Sequence, residues 1–148
     1  MNTLVVCPKC EAINRVGLAR AAQSEARCGQ CKTKLPFHGG LQDLTSSTLN
    51  VLVKKSSIPV VVDFWAPWCG PCLSFAPTFK RAAIELAGKM VFTKLNTEEN
   101  SAAGEAHHIK GIPALVVFVN GAEVARQSGA MPFASLIEFL KRFDLGIK

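Results

Sequence analysis

From residue 41 onward, apolar runs alternate with stretches of helical spacing, and this predicts a β-α-β-α-β-α-β-β-α order. Leu41-Gln42-Asp43-Leu44 reads as a short strand. Thr45-Ser46-Ser47-Thr48 then offers N-cap candidates for a helix through Leu49, Leu52 and Val53, ending near Lys54-Lys55. Ile58 to Phe64 is almost continuously apolar, as in a central strand covered on both faces, and Asp63 is its one ionisable group. A carboxylate there is costly to ionise. A helix is predicted to start around Cys69 to Cys72, to kink at Pro77 and to stop with Gly88 at C′. Met90 to Leu95 reads as a strand, Glu98 to His108 as a polar helix, and Ala114 to Val119 as another strand. Asn120-Gly121 is a hairpin signal leading into Glu123 to Gln127. Phe133, Leu136, Ile137, Leu140 and Phe143 fall on one helical stripe, read as core, with Pro132 near its start.

The first forty residues lack this rhythm. Their large apolar groups (Leu4, Val5, Val6, Ile13, Val16, Leu18, Leu35, Phe37) are too few for an independent core. What they have instead is Cys7-Pro8-Lys9-Cys10 and Cys28-Gly29-Gln30-Cys31, a C-x2-C-x17-C-x2-C arrangement. Two chelating turns at that separation can close a tetrahedron around one structural zinc, whose binding supplies the missing folding energy. Iron suits the same ligands, and two local disulfides or loose thiols are the plainer reading. Four thiolates complete the shell, so His38 is read as a linker or surface residue. Phe37-His38-Gly39-Gly40 reads as a joint, dividing the chain into a four-cysteine module at 1–39 and a larger domain at 40–148.

Composition narrows the classes. The 148 residues are 49% apolar and 19% charged, which suits one globular domain with an appendage and excludes wholesale disorder. No apolar run approaches the roughly 18 residues of a membrane span. Leu4-Val5-Val6 is the only apolar run before the first cysteine, without a basic start or a small-residue cleavage site, so no secretory signal is read and a reducing cytoplasm is expected. There, cysteines serve as metal ligands or catalytic thiols more often than as structural disulfides. The formal charge of +6 divides into +4 over residues 1–40 and +2 over the rest. Four zinc-bound thiolates would halve the first figure, and no aromatic residue interleaves with Arg15, Arg20 and Arg27. Those arginines read as solvated surface, and no nucleic-acid partner is expected.

The chemistry concentrates in Cys69-Gly70-Pro71-Cys72, between a predicted strand and a predicted helix. A C-x-x-C in that setting is a dithiol able to open and close. The unpaired N–H groups and positive dipole end of the helix favour a thiolate at Cys69, and Cys72 lies about one turn further on.

The segment Val61 to Cys72, with Trp65-Ala66-Pro67-Trp68 before the first cysteine, strongly resembles the active-site segment of the thioredoxin family. Lys94-Leu95-Asn96, Gly111-Ile112-Pro113, Asn120-Gly121 and Gly129 match further landmarks in order. The four-cysteine module and the Ala66-Pro67-Trp68 wording resemble the zinc-containing bacterial thioredoxin 2 type. The resemblance implies a thioredoxin fold, a mixed central β-sheet flanked by helices, behind a small zinc-ribbon-like module. It implies an attacking thiol at Cys69, a resolving thiol at Cys72 and a redox-active Cys69–Cys72 disulfide without a tightly bound organic cofactor. Asp63 resembles the family's buried acid and Lys94 the lysine beside it; without the resemblance they read as a satisfied buried polar group and a surface cation. Pro113 resembles the family's cis-proline, in a substrate groove with Trp68, Gly70, Pro71, Ile112 and Gly129. Trp65 reads as core, and His107-His108 as surface. Two positions depart from the pattern: Leu73 stands where lysine is common, and Ala114 where threonine is.

The function implied is reduction of protein disulfides by a monomer, recharged by NADPH-dependent thioredoxin reductase, with oxidised client proteins as partners and no membrane. An oxidase or isomerase is a poorer match to Gly70-Pro71. A zinc-dependent binding or regulatory module, switched by thiolate oxidation, is the alternative of another class.

Overall fold

The computed structural model describes residues 2–17, 26–38 and 40–144. Leu18, Arg20 and Gly39, read above as part of the small module and its joint, lie outside the described residues. The elements run β1 (Asn2–Val6), β2 (Ile13–Gly17), β3 (Phe37–His38), β4 (Leu41–Leu44), α1 (Ser46–Lys55), β5 (Val60–Trp65), α2 (Gly70–Glu85), β6 (Val91–Asn96), α3 (Ser101–Ala106), β7 (Ala114–Val119), β8 (Ala122–Ser128) and α4 (Phe133–Lys141). From β4 onward this is the order that the apolar pattern predicts.

A mixed six-stranded sheet runs β3-β4-β6-β5-β7-β8. Strands β4, β6 and β5 are parallel; β7 is antiparallel to β5, and β8 to β7. Side chains alternate faces along β5. Val60, Val62 and Phe64 join Leu49 and Leu52 of α1, whereas Val61 joins Phe75 and Phe79 of α2 and Leu136 and Leu140 of α4. By the same alternation Asp63 faces the α2 side. Two-sided cover makes β5 the central strand, and the architecture is the mixed sheet flanked by helices that defines a thioredoxin fold.

Local chemistry sets most element ends. Thr45 caps α1 in a reciprocal capping box with Thr48, and Lys54 and Lys55 occupy its last turn. The β7–β8 hairpin turns through Asn120 and Gly121 at φ 52° and 83°, both left-handed. Pro77 lies within α2 without ending it. That helix stops with Leu86 as C-cap, so Gly88, at φ 82°, makes the turn beyond and is not the C′ residue expected. The polar helix expected over Glu98 to His108 shrinks to Ser101–Ala106. Asn96 Oδ1 accepts the N–H groups of Glu98 and Glu99 and holds them in a turn before the helix. At the far end His108 adopts φ 53° and Ile109 N–H reaches Gly104 O at 2.8 Å, a Schellman closure made without glycine. The Arg126 guanidinium donates to the freed His107 and His108 carbonyls. His107 is therefore no plain surface residue: its ring is half-buried, 6.0 Å from that of Phe64 and 5.4 Å from that of Phe118.

The N-terminal ribbon β1–β2 is antiparallel and packs onto the large sheet. Val6 joins the core with Leu44 and Leu49. Gln42 of β4 has no exposed surface, and its amide spans the junction: Oε1 accepts Val6 N–H at 3.2 Å and Nε2 donates to Leu4 O at 2.6 Å. The Ser47 hydroxyl, near the start of α1, donates to the Glu11 carboxylate. Phe37 and His38 pair with Gln42 and Leu41, so the chain leaves the module through a strand of the large sheet.

Replacing Gln42 by Ala removes both bonds and leaves a cavity. The expected loss is about 2–4 kcal/mol of unfolding free energy, read from urea denaturation.

Candidate functional site

Strand β5 ends at Trp65, and a turn closed by Cys69 N–H to Ala66 O delivers Cys69 to the start of α2. Cys69 is the N-cap, with extended backbone. Its sulfur accepts the Cys72 backbone N–H at 3.2 Å, one of the donors that a helix start leaves unpaired. Cys69 and Cys72 are joined as a disulfide, with Cα atoms 5.2 Å apart. Helix geometry thus places a sulfur against a backbone donor and the positive dipole end, which stabilises a thiolate once the bond opens.

Around the pair stand three backbone segments. Cys69 Sγ lies 3.8 Å from the Ile112 carbonyl oxygen, and the Ile112–Pro113 peptide is cis. Gly129, at φ 91°, donates its N–H to Pro113 O at 2.8 Å. Trp68, Gly70 and Pro71 are exposed beside the disulfide, whereas Pro113 is buried. Cys69, Ile112, Pro113 and Gly129 are thus linked in space. The Ile112 carbonyl facing Cys69 was not legible beforehand, because a backbone atom carries no sequence signature.

Asp63 is 1% exposed, and neither carboxylate oxygen has a hydrogen-bond partner among the described residues. The plain reading of it as a satisfied polar group is thus overturned. Burial pushes its pKa up to about 7, against the opposing pull of Lys94, its register partner on β6. Lys94 is half-buried, with Nζ 4.6 Å from the centroid of the Trp65 ring.

A thioredoxin family model matches residues 40–142. Thioredoxin 1 of Chlorobaculum tepidum is 40% identical over 91 residues, covering 62% of this chain and 90% of its own length. The chain belongs to the thioredoxin family. Thioredoxin of Haemophilus influenzae is 42% identical over 91 residues, covering 62% of this chain and 85% of its own. Thioredoxin C-3 of Corynebacterium nephridii is 36% identical over 138 residues, 93% of this chain and 92% of its own, so that alignment runs well into the four-cysteine region. This thioredoxin is a protein-disulfide oxidoreductase, and Cys69–Cys72 is its redox-active disulfide.

The other four cysteines form a separate cluster. The sulfurs of Cys7, Cys10, Cys28 and Cys31 all lie within 4.8 Å of one another, with Cys7–Cys31 at 3.5 Å and Cys10–Cys28 at 3.6 Å. A tetrahedral zinc with Zn–S bonds of about 2.3 Å needs sulfurs about 3.8 Å apart, so the donor set fits. Both turns are built alike. Cys7 O accepts Glu11 N–H and Cys7 N–H reaches Ala12 O; Cys28 O accepts Lys32 N–H and Cys28 N–H reaches Thr33 O. Glu11 and Lys32, each next after the second cysteine of its turn, share left-handed φ values of 62° and 66°. The Cys31 and Gln30 backbone N–H groups pull the Cys28 thiol down to about 6. Sequence reading missed two supports here: Asn14 Oδ1, which accepts Gly29 N–H at 2.9 Å, and the Thr33 hydroxyl, 3.2 Å from Cys31 Sγ.

A pH test follows from Asp63. Its folded pKa lies above its unfolded one, so below about pH 4 both states are protonated and nothing is lost. As pH rises towards 7 the unfolded state ionises first, and stability falls. Asp63→Asn should flatten this fall and, by urea denaturation of the disulfide form, exceed the parent by about 4 kcal/mol near pH 8.5.

Proposed function

We propose that this thioredoxin is a general reductant of protein disulfides, recharged by an NADPH-dependent thioredoxin reductase. The observation that carries the reading is the asymmetry of the pair: Cys69 Sγ, at a helix start, accepts the backbone N–H of Cys72, the residue to which it is disulfide-bonded. Cys69, as thiolate, attacks one sulfur of a client disulfide; the new S–S bond forms and the other client sulfur leaves as thiolate. Cys72, as thiolate, then attacks Cys69 Sγ, closing Cys69–Cys72 and releasing the second client sulfur. Two electrons pass to the client, whose thiolates take up two protons. Asp63, with a pKa of about 7 and its side chain turned towards α2, takes the Cys72 proton as that thiol is activated. Lys94 tunes the acid. Ile112, Pro113 and Gly129 align an extended client segment against Trp68, Gly70 and Pro71.

NADPH consumption with thioredoxin reductase and insulin tests this directly. Turnover is expected for the parent and a loss of at least about a thousandfold for Cys69→Ser. Insulin reduction with dithiothreitol but not with the reductase would point to another electron source. Failure in both would sink the reductase.

Residues 1–39 are a module holding one structural zinc through Cys7, Cys10, Cys28 and Cys31, and residues 40–148 are the thioredoxin domain. The closed thiolate shell, the paired turns and the reach of the Thioredoxin C-3 alignment support this reading and the thioredoxin 2 type. The metal would supply folding energy to a piece with little core of its own. We assign the protein to the cytoplasm as a monomer. Elemental analysis should find one zinc per chain, lost in Cys10→Ser, whose ribbon should become protease-sensitive while the larger domain stays folded.

A further inference from the structure

Leu73 is the anomaly beside the redox pair. It is 53% exposed, and its backbone N–H donates to Cys69 O, so it stands one helical turn beneath Cys69 on the same side of α2. Trp68, on the other flank, is 70% exposed, while Cys69 between them is only 5% exposed. Large apolar side chains left in water are common singly, but two bracketing a reactive sulfur form a patch.

The segments that carry them, and the one that carries Gly129, are poor in charge. No charged side chain occurs between Asp63 and Lys80, nor between Arg126 and Glu138, the stretch that carries Gly129. Lys110, near Ile112, is the nearest cation in sequence on the third segment. A side chain added at Gly70 or Gly129 would meet nothing within 4 Å, so the face stays open to an approaching chain. Attack at Cys69 requires a client sulfur to come within bonding distance, and whatever flanks that sulfur must cover this rim. The occupant is thus fixed by the chemistry of the site.

Resting on the disulfide-reductase reading, we propose that Leu73, with Trp68, is a specificity-determining contact that selects client cystines flanked by apolar residues. Long-range attraction from the net positive charge, formally +6 and about +4 with four zinc-bound thiolates, brings acidic clients near, but contact at the rim is apolar and insensitive to salt. Covering part of a leucine and a tryptophan is worth about a five- to tenfold preference.

The test uses the pre-reduced full-length protein and two synthetic cystine-bridged peptides, identical except that leucine and valine flank the bridge in one and glutamate in the other. Second-order reduction rates are compared at about 20 mM and 300 mM salt for the parent, Leu73→Gln and Leu73→Lys. The parent should favour the apolar peptide about five- to tenfold at high salt, Leu73→Gln should lose most of that margin, and Leu73→Lys should favour the acidic peptide at low salt. The pH dependence of Cys69 alkylation separates docking from thiol activation: Leu73→Gln should leave it unmoved. Equal parent rates for both peptides, or an equal change for both in Leu73→Gln, would overturn the proposal while leaving the reductase standing. Reduction of neither peptide would overturn both. A parent dimer in sedimentation that Leu73→Gln dissolves would assign the rim to a second copy and overturn it too.

Discussion

A strand covered on both faces has no solvated side on which to place a polar group, and β5 is such a strand. Its alternation assigns α1 to one face and α2 with α4 to the other, so the layers follow from it. Its C-terminal end launches the turn that puts Cys69 at the head of α2. Its single carboxylate, Asp63, has no hydrogen-bond partner among the described residues, and the Lys94 charge is what offsets its burial. The cost is carried by the rest of the core, and the result is a buried carboxyl whose pKa is pushed up to about 7.

Two kinds of C-x2-C occur in one chain, and their surroundings separate them. Between Cys69 and Cys72 the backbone enters a helix, so one residue's sulfur meets the other's N–H and the two sulfurs join. After Cys10 and Cys31 the backbone instead turns left-handed, and each turn folds its two thiols towards those of the other. The same spacing yields a redox couple in one setting and, in the other, half of a four-thiol cluster that could hold a metal. Glycine and proline between the cysteines do not decide it, since Pro8 and Gly29 lie inside the metal-type turns.

What the sequence disclosed was what neighbours in the chain determine. The Thr45–Thr48 cap, the Asn120-Gly121 turn, both cysteine patterns and the buried run of β5 are local statements, and each is present in the fold. The extent of α3 was misjudged because a side chain outside the periodic stretch, Asn96, holds Glu98 and Glu99 out of the helix. His107 looked like a surface residue because nothing near it in sequence reveals that Phe64 and Phe118 converge on its ring. The Ile112 carbonyl and the reach of Gln42 across 36 residues were invisible for the same reason: they depend on which distant segments the fold brings together.

Gln42 has a consequence for how the two parts of the chain can diverge. Its amide copies a peptide group, offering one acceptor and one donor to the main chain of β1 and addressing none of its side chains. The recognition is therefore written in backbone, like that of an added strand. Provided that β1 keeps its extended form and its buried side chains at Thr3, Val5 and Val6, with Leu4 against the core, the Gln42 bonds place no further demand on its sequence. A different hairpin with the same backbone course and the same buried residues could be grafted in its place without rewriting the sheet that receives it.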